Sequence, residues 1–318
     1  MYIVTGGAGF IGSNVIRGLN NIGISDILVV DNLKRGDKFF NLVGYKISDY
    51  LDKREFRESL EKDKFPASKI DAIFHQGACS DTMETDGQYM MDNNYAYSKV
   101  LLENAVKNKI PFIYASSAAV YGRNTTFKEH QDNEGPINVY GYSKYLFDQY
   151  VRGMFDQVES TVVGLRYFNV YGPHETHKGP MSSVTLQFYK QLKSTQTIRL
   201  FEGTDGCKDG EQRRDFIFVA DVVNVNLFFM KAAPVKGIFN VGTGSSQSFN
   251  QIADCLIDLE GRGEKNYIPF PESLRNKYQS FTQADISSLR AAGYDSPFLS
   301  VEEGIKLYYP YLKQINVN

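Results

Sequence analysis

The sequence is poor in cysteine and histidine, with three and four in 318 residues, and it contains no tryptophan. Cys79, Cys207 and Cys255 are too few and too scattered for a disulfide framework or a zinc site, which favours a reducing compartment. His174 and His177 are three residues apart, but a catalytic zinc site needs three protein ligands and the sequence offers no third. We therefore expect no bound metal.

Neither one sign of charge nor a long apolar run dominates the chain. Lys and Arg total 35 against 37 for Asp and Glu, so the net charge of -2 gives no electrostatic reason to expect nucleic acid or an anionic membrane as a partner. Phe and Tyr number 22 and 21 but are scattered, unlike a nucleic-acid stacking platform. The apolar runs, such as 227–230, are too short to span a bilayer, and the N-terminus shows no signal peptide. These absences predict a globular, cytoplasmic protein.

Glycine is plentiful, and its most informative cluster lies near the N-terminus. Gly6, Gly7, Gly9 and Gly12 follow the short apolar run 2–5 and precede apolar residues at helical spacing. Strand, glycine turn and helix, in that order, are typical of a loop that cradles a pyrophosphate at the helix N-terminus. A second apolar run ends at Asp31, about 20 residues further on, where an acid accepts hydrogen bonds from the adenosine ribose. The region is predicted to bind a dinucleotide.

The residues alone do not decide between NAD and NADP as the dinucleotide. Asp31 favours the unphosphorylated ribose of NAD, whereas Lys34, Arg35, Lys38 and Lys53 lie close by in the sequence and would neutralise a 2′-phosphate. The alternative is that these cations form a solvated basic loop.

Strand and helix signals alternate along the first half of the chain. The pattern predicts strands over 70–75, 111–115 and 161–166, with helices over 54–62, 94–108, 140–154 and 182–193. Strands separated by helices form a doubly wound parallel sheet of the α/β class, in which ligands bind beyond the carboxyl ends of the strands. The loops 75–80, 116–122 and 167–173 follow three of these strands and should meet at that edge.

Beyond about residue 173 the elements become shorter and the links more polar. Two strand-like runs, 216–219 and 238–241, with a helix over 221–232 between them, are interpreted as a return to the first sheet. We therefore expect a dinucleotide-binding domain over 1–172 with 215–243 returning to it, and a smaller, discontinuous substrate domain over 173–214 and 244–318.

Tyr140 and Lys144 are four residues apart in what reads as the first turn of a helix. Positions i and i+4 share a helix face, so the ammonium can lie beneath the phenol. A neighbouring cation favours the phenolate and should lower the pKa of Tyr140 from its ordinary value of about 10. The pair is a candidate for proton transfer, although Tyr and Lys also occur at this spacing by chance.

Four motifs occur together: the glycine loop, Ser-Ser-Ala-x-x-Tyr-Gly at 116–122, Tyr-x-x-x-Lys at 140–144 and Arg-Tyr-Phe-Asn-Val-Tyr-Gly-Pro at 166–173. Together they resemble the extended short-chain dehydrogenases/reductases that act on nucleotide sugars, over nearly the whole chain. Within that family the chain is most similar to the 6-epimerases of ADP-activated heptoses, through longer and less common strings at 76–80, 89–95, 177–179, 201–203 and 281–285.

The resemblance implies an epimerase that oxidises C6″ of the sugar to a ketone and reduces it from the opposite face. Tyr140, supported by Lys144, would serve one face and Lys178 the other, while Ser117 would hold the reacting oxygen. Ser116 is the alternative to Ser117 because adjacent strand residues face opposite ways. On the residues alone, a solvated loop lysine or a phosphate contact is the favoured interpretation of Lys178, and only the resemblance gives it a catalytic role.

The resemblance also implies the binding residues, NADP as the cofactor and a homo-oligomer. The implied cofactor contacts are Gly6, Gly9, Phe10, Ile11, Gly12, Asp31, Asn32, Lys38, Lys53, Gln76, Gly77, Ala78, Cys79, Ser80, Asn93, Lys144, Val170 and Lys178. The implied substrate contacts are Ser117, Asn169, Gln187, Phe201, Glu202, Gly203, Thr204, Arg214 and Tyr278. The alternative for Arg214 is a salt bridge with Asp215.

Three departures from the family pattern concern the substrate. Pro180 and Gln187 stand where the family tends to carry serine and histidine, and the loop 205–212 is longer than expected. The nearest rivals are a 4-epimerase and a 4,6-dehydratase, but Ala118 and Ala119 lack the acid and base that elimination needs. A non-catalytic NADP-sensing regulator is the rival of another class, and the intact Tyr140, Lys144 and Ser117 argue against it.

Overall fold

The computed structural model describes residues 1–232, 234–272 and 278–315. Its strands are β1 (Tyr2–Thr5), β2 (Ile27–Asp31), β3 (Asp49–Asp52), β4 (Ala72–His75), β5 (Phe112–Ser117), β6 (Val162–Tyr167), β7 (Asn169–Tyr171), β8 (Thr197–Phe201), β9 (Arg213–Arg214), β10 (Phe216–Phe218), β11 (Lys236–Val241), β12 (Gln247–Ser248) and β13 (Glu264–Ile268). Seven of them form one parallel sheet in the order β11-β6-β5-β4-β1-β2-β3. The predicted doubly wound α/β fold is confirmed.

The helices cover both faces of this sheet. They are α1 (Phe10–Asn21), α2 (Lys53–Glu61), α3 (Gly87–Met90), α4 (Tyr97–Lys107), α5 (Val139–Met154), α6 (Val184–Thr195), α7 (Val219–Lys231), α8 (Phe249–Glu260), α9 (Ser287–Ala291) and α10 (Val301–Leu312). One face packs on α1 and α7 through Val15, Leu19 and Phe229, and the other packs on α2, α4 and α5. Strand β2 is buried at every residue, as expected of a parallel strand covered on both sides.

The predicted strands and helices of the first half are present to within about three residues, with one exception. The single helix expected over 94–108 is instead α3, a π-helical stretch Met91–Ala96 and then α4. A π turn gives no separate signal in hydrophobic periodicity, and such turns are frequent at functional sites. Here it carries the buried side chains of Asn93 and Asn94.

In the described part of the second half, one strand returns to the large sheet. The run 238–241 lies in β11, which pairs with β6 at the edge of the large sheet, as predicted. The run 216–219 does not join that sheet, and this prediction is wrong: β10 pairs with the short strand β7 outside it. Phe216 and Phe218 are buried instead with α6, α8 and α10 in the core of the C-terminal lobe.

Helix α5 is joined to the sheet by a buried ionic cluster. The guanidinium of Arg166, on β6, pairs with Asp148 on α5 at 2.9 Å and with Glu134, and all three side chains are fully buried. Tyr114 and Ser116 of β5 also donate to Asp148, each at 2.9 Å. Because every partner is inside the protein, removing one leaves a charge in an apolar environment.

We expect Arg166→Met to lower the free energy of unfolding by about 3–5 kcal/mol, since it leaves Asp148 and Glu134 buried without their shared cation. Urea unfolding followed by far-ultraviolet circular dichroism measures this in a protein that contains no tryptophan. Lys62→Met, which removes an exposed ion pair with Glu58, is the control and should leave stability nearly unchanged. Equal effects of the two changes would contradict this role of Arg166.

Candidate active site

The glycine loop between β1 and α1 has room for backbone but not for side chains. Gly6 has φ of +64°, and a Cβ at Gly12 would lie 2.2 Å from the carbonyl oxygen of Gly6. Gly9 is the N-cap of α1, whose first turn has neither a side-chain cap nor an acidic residue. The positive end of the helix is therefore uncompensated by side chains, which suits an anion such as a pyrophosphate.

Asp31 lies at the carboxyl end of β2, beside the glycine loop, and is buried. Its carboxylate accepts hydrogen bonds from the backbone N–H of Ala8 at 3.0 Å and of Asn32 at 2.7 Å. The ammonium of Lys38 forms an ion pair with the same carboxylate. The charge of Asp31 is thus neutralised from within the chain.

Tyr140 and Lys144 occupy the first turns of α5, as predicted. The helix begins at Val139, where the side chain of Asn138 caps the N–H of Gly141 at 2.7 Å. The Tyr140 hydroxyl lies near the Ser117 hydroxyl, and the Lys144 ammonium donates to the carbonyl of Ala115 at 2.7 Å. Both partners belong to β5, so one strand end orients the pair.

Of the two candidate serines, Ser117 is the one that contacts Tyr140. The Ser116 hydroxyl turns into the core and donates to Asp148. This geometry favours Ser117 as the hydroxyl that holds a reacting oxygen, in accordance with the alternation of side chains along a strand.

The expected lowering of the Tyr140 pKa is wrong. Burial raises the pKa of Tyr140, although the nearby Ser117 hydroxyl acts in the opposite direction. Burial also lowers the pKa of Lys144 to about 8, with the carboxylate of Asp148 opposing that shift. The helical spacing was read correctly, but sequence spacing does not reveal how deeply a pair is desolvated.

Lys178 lies in the 3₁₀ segment Thr176–Met181, between β7 and α6. Its ammonium is 5.5 Å from the ring centroid of Phe10, and burial lowers its pKa. The buried carboxylate of Glu175 fastens the segment, because it accepts hydrogen bonds from the N–H of Gly172 at 3.3 Å and from the Ser183 hydroxyl at 2.6 Å. Tyr308 of α10 donates to the same carboxylate at 3.1 Å.

A cleft of about 710 Å³ runs along the carboxyl ends of the strands and brings the motifs together. Ser117, Tyr140 and all the predicted cofactor residues line it: Gly6, Gly9, Phe10, Ile11, Gly12, Asp31, Asn32, Lys38, Lys53, Gln76, Gly77, Ala78, Cys79, Ser80, Asn93, Lys144, Val170 and Lys178. The sequence therefore located this cleft, although lining it does not by itself assign each residue a role.

The other predicted substrate residues do not line the cleft: Asn169, Gln187, Phe201, Glu202, Gly203, Thr204, Arg214 and Tyr278. Three of them gather around Phe270 in the C-terminal lobe. Phe201 and Tyr278 pack edge-on against Phe270, and the Arg214 guanidinium lies 4.7 Å from the Tyr278 ring centroid. Gln187 donates to the carbonyls of Pro180 and Ser182 instead, each at 2.9 Å.

Arg214 is buried, and among the described residues no carboxylate lies within salt-bridge distance of it. The alternative of a salt bridge with Asp215 is wrong, because that carboxylate faces the backbone N–H groups of Thr243, Gly244 and Ala284. Burial lowers the pKa of Arg214. A buried guanidinium without an acid is suited to an anionic ligand.

The two histidines of the Lys178 region have polar partners. His174 lies 3.0 Å from the Ser13 hydroxyl and His177 lies 3.3 Å from the Asn41 amide, and burial lowers the pKa of each to about 4. In the part of the chain that the structure describes, no three His, Cys, Asp or Glu side chains form a group that would hold a metal.

Several residues that line the cleft were not predicted. The most notable are Tyr97, which follows the π-helical stretch, His177 beside Lys178, and Tyr89 and Met181. Tyr97 lies four residues after the predicted Asn93, so a helical reading of that segment would have drawn attention to it. Nothing in the local sequence marks Met181.

The sequence profile of the NAD dependent epimerase/dehydratase family matches residues 2–242. The chain belongs to this family. A curated relative, the ADP-L-glycero-D-manno-heptose-6-epimerase of Alkalilimnicola ehrlichii, is 54% identical over 308 residues, covering 97% of this chain and 96% of the relative.

Solved structures of other epimerases have the same fold. The ADP-L-glycero-D-manno-heptose-6-epimerase of Helicobacter pylori is 35% identical with a TM-score of 0.86, and the match covers 99% of this chain and 96% of that one. The UDP-glucose 4-epimerase of Thermotoga maritima, solved with UDP-glucose, is 30% identical with a TM-score of 0.79 over 98% of each chain. No helix in the described part of this epimerase/dehydratase-family chain is long and apolar enough to cross a membrane.

We expect Gly12→Ala to weaken dinucleotide binding by at least about tenfold and to destabilise the protein by about 1–3 kcal/mol, because its Cβ would collide with the Gly6 carbonyl. Isothermal titration calorimetry and urea unfolding measure the two effects. Gly153→Ala in α5 is the matched control, since a Cβ there meets nothing within 4 Å. Normal binding by Gly12→Ala would rule out the glycine loop as the pyrophosphate site.

Proposed function

We propose that this chain is an epimerase that inverts C6″ of ADP-D-glycero-D-manno-heptose to give the L-glycero form. The observation that carries the proposal is that two groups capable of proton transfer, Tyr140 and Lys178, line one cleft from different elements. A single tyrosine supports inversion only where the ketone turns over above it, as in the rival 4-epimerases, whereas a second group opposite the tyrosine points to the 6-epimerase. The 54% identity to the heptose epimerase supports this substrate.

The first proton-transfer group is Tyr140. Its phenolate takes the proton of the sugar's 6″-hydroxyl as the alcohol becomes a ketone, and in the reverse reaction the phenol donates that proton back. Ser117 donates a hydrogen bond to the same oxygen, and the Lys144 ammonium stabilises the phenolate. The raised pKa of Tyr140 makes such support necessary near neutral pH.

The second group is Lys178. With its pKa lowered by burial, the amine exchanges protons more readily near neutral pH than an exposed lysine does. Once the sugar has turned its other face to the hydride donor, the Lys178 ammonium donates a proton to the ketone oxygen, and the resulting amine regains a proton from solvent. Glu175 fixes the segment that carries it.

A nicotinamide dinucleotide fits the cleft, because the N-terminus of α1 lacks acidic groups and the glycine loop excludes side chains. When bound, this cofactor supplies a reversible acceptor for the hydride at C6″. We propose NADP rather than NAD. Lys34, Arg35, Lys38 and Lys53 line the cleft around Asp31, whose charge Lys38 already neutralises, so a 2′-phosphate meets net positive charge.

The domain assignment is part of the same proposal. Residues 1–172, with α7 and β11 returning to their sheet, form the dinucleotide-binding domain, and 173–214 with 244–318 bind the nucleotide sugar. Strand β10, between these segments, packs with the C-terminal lobe instead. Arg214, buried without an acid, would receive the diphosphate, and Tyr278 and Phe201 lie near it. The other residues assigned to the substrate on the resemblance are Ser117, Asn169, Gln187, Glu202, Gly203 and Thr204.

The cellular context is also proposed. The three cysteines are unpaired, which supports a reducing cytoplasm. An activated heptose is a precursor of bacterial surface polysaccharide, and the family resemblance supports a homo-oligomer with no nucleic-acid or membrane partner.

We expect the purified protein to interconvert the D-glycero and L-glycero forms of ADP-heptose, as followed by NMR of the C6″ configuration. Tyr140→Phe and Lys178→Met should each reduce the rate by at least about a hundredfold, because each removes one proton-transfer group. Both variants should still bind the dinucleotide. Tyr142→Phe, an exposed tyrosine on the same helix, is the matched control and should retain full activity.

The outcomes separate the rival functions. No interconversion by the wild-type protein contradicts the 6-epimerase, and conversion of UDP-glucose to UDP-galactose or loss of water would indicate a 4-epimerase or a dehydratase. Dinucleotide binding without turnover of any of these sugars would indicate a regulatory protein. Full activity in Lys178→Met would remove that residue from the mechanism.

We expect Lys38→Met to shift the cofactor preference from NADP toward NAD by about tenfold or more, a change of about 1.4 kcal/mol in relative affinity. The change removes a cation near the 2′-phosphate and frees the Asp31 carboxylate to accept from the ribose hydroxyls. Titration with each cofactor gives the ratio of Kd values. Lys46→Met, whose side chain is not part of the cleft, controls for the loss of charge, and an unchanged ratio in Lys38→Met would contradict the assignment.

A further inference from the structure

Tyr97 is a residue of the cleft to which neither the sequence nor the proposed mechanism gives a role. It is the first residue of α4, directly after the π-helical stretch that carries Asn93. The side chain is 5% exposed and lines the cleft. Its phenol therefore belongs to the wall of the site rather than to the protein surface.

The hydroxyl of Tyr97 is buried and, among the described residues, has no hydrogen-bond partner. Buried polar groups in folded proteins are nearly always hydrogen-bonded, so such a hydroxyl at the wall of a ligand cleft indicates a partner on the ligand. Asn93, one helical turn earlier, differs in that its carbonyl oxygen already accepts from Lys53.

The ring of Tyr97 is held in place by a rigid neighbour. It packs edge-on against the imidazole of His75, with 5.7 Å between ring centroids. That imidazole is fixed between the hydroxyls of Thr5 at 2.6 Å and Ser98 at 2.7 Å. Both of its nitrogens are engaged, so His75 orients the phenol ring without being able to bond to its hydroxyl.

The charges around Tyr97 identify which end of the cleft it faces. The carboxylates of Asp31 and Asp52, at the ends of β2 and β3, add to burial in raising the pKa of Tyr97, while Arg57 opposes them. The hydroxyl is therefore protonated and able to donate. Asn93, one turn before Tyr97, accepts a hydrogen bond from Lys53, which directly follows β3. Because the acid at the end of the neighbouring β2 faces the adenosine ribose in a doubly wound sheet, Tyr97 lies toward the adenosine end of the cleft.

We propose that Tyr97 is a cofactor-binding residue whose hydroxyl donates a hydrogen bond to an acceptor atom in the adenosine half of the dinucleotide. The inference rests on the dinucleotide part of the proposed function and not on the sugar. The acceptor is a nitrogen of the adenine ring or an oxygen of the ribose or its 2′-phosphate, since all three are acceptors at that end of the molecule.

The test is Tyr97→Phe, which removes one oxygen and keeps the ring against His75. Kd values of the full-length protein are measured by calorimetry for NADP, for adenosine 2′,5′-bisphosphate and for nicotinamide mononucleotide. We expect the Kd values for NADP and adenosine 2′,5′-bisphosphate to rise about 5- to 20-fold, because about one hydrogen bond is lost. The Kd for nicotinamide mononucleotide should stay unchanged. Without ligand, the urea midpoint should be equal to or higher than that of the wild type, because no partner within the protein is lost.

Tyr294→Phe is the matched control. Tyr294 is 3% exposed but does not line the cleft, so this change should leave all three Kd values unaltered. If the Tyr97 hydroxyl instead has a structural role, Tyr97→Phe will have a lower urea midpoint and will bind both adenosine 2′,5′-bisphosphate and nicotinamide mononucleotide more weakly. That result overturns the inference. Unchanged binding of adenosine 2′,5′-bisphosphate overturns it as well.

The experiment also separates this inference from the epimerase. If the wild-type protein binds NADP and Tyr97→Phe leaves the Kd unchanged, the Tyr97 contact is contradicted but the epimerase function is not. Weakened binding in Tyr97→Phe together with an inactive wild-type protein contradicts the epimerase alone. A wild-type protein that binds neither NADP nor adenosine 2′,5′-bisphosphate contradicts both.

Discussion

The buried pairing of Arg166 with Asp148 and Glu134 is the interaction on which the site depends most. Tyr140, Lys144 and Asp148 follow one another at intervals of four residues, so they share one face of α5. The ion pair with Arg166 holds Asp148 against β6, and hydrogen bonds from Tyr114 and Ser116 hold it against β5. These contacts fix the rotation of α5 about its axis. A rotation of α5 would therefore displace the Tyr140 hydroxyl from its position near Ser117.

The parallel sheet provides the second constraint, because β2 and β4 flank β1 on opposite sides. The chain reverses its direction of winding there, which opens a crevice beyond the strand ends. Gly6 and Gly77 meet so closely at this point that a Cβ on Gly6 would lie 2.6 Å from the Cα of Gly77. Two loops far apart in the sequence thus form one continuous floor of backbone for an extended ligand.

The sequence predicted the large sheet well because the sheet depends on local patterns, whereas most residues that line the cleft were named through the family resemblance. Apolar runs, glycine spacing and the Tyr140–Lys144 interval each arise within a few residues. The failures concern long-range effects: β10 pairs with β7 because the C-terminal lobe buries its phenylalanines, and the pKa of Tyr140 reflects burial by distant elements. Tyr97 was missed because Asn93 lay just outside the helix predicted over 94–108, so the four-residue interval between the two side chains was not used.

The bond between Tyr308 and Glu175 links the end of the fold to the loop of Lys178 across 133 positions. Most residues that line the dinucleotide cleft precede this loop in the sequence, so they are synthesised before it. A nascent chain could therefore order much of its cofactor site while the Lys178 segment still lacked its anchor in α10. The carboxylate that fastens the Lys178 segment therefore gains its partner in α10 only after residue 308 has been synthesised.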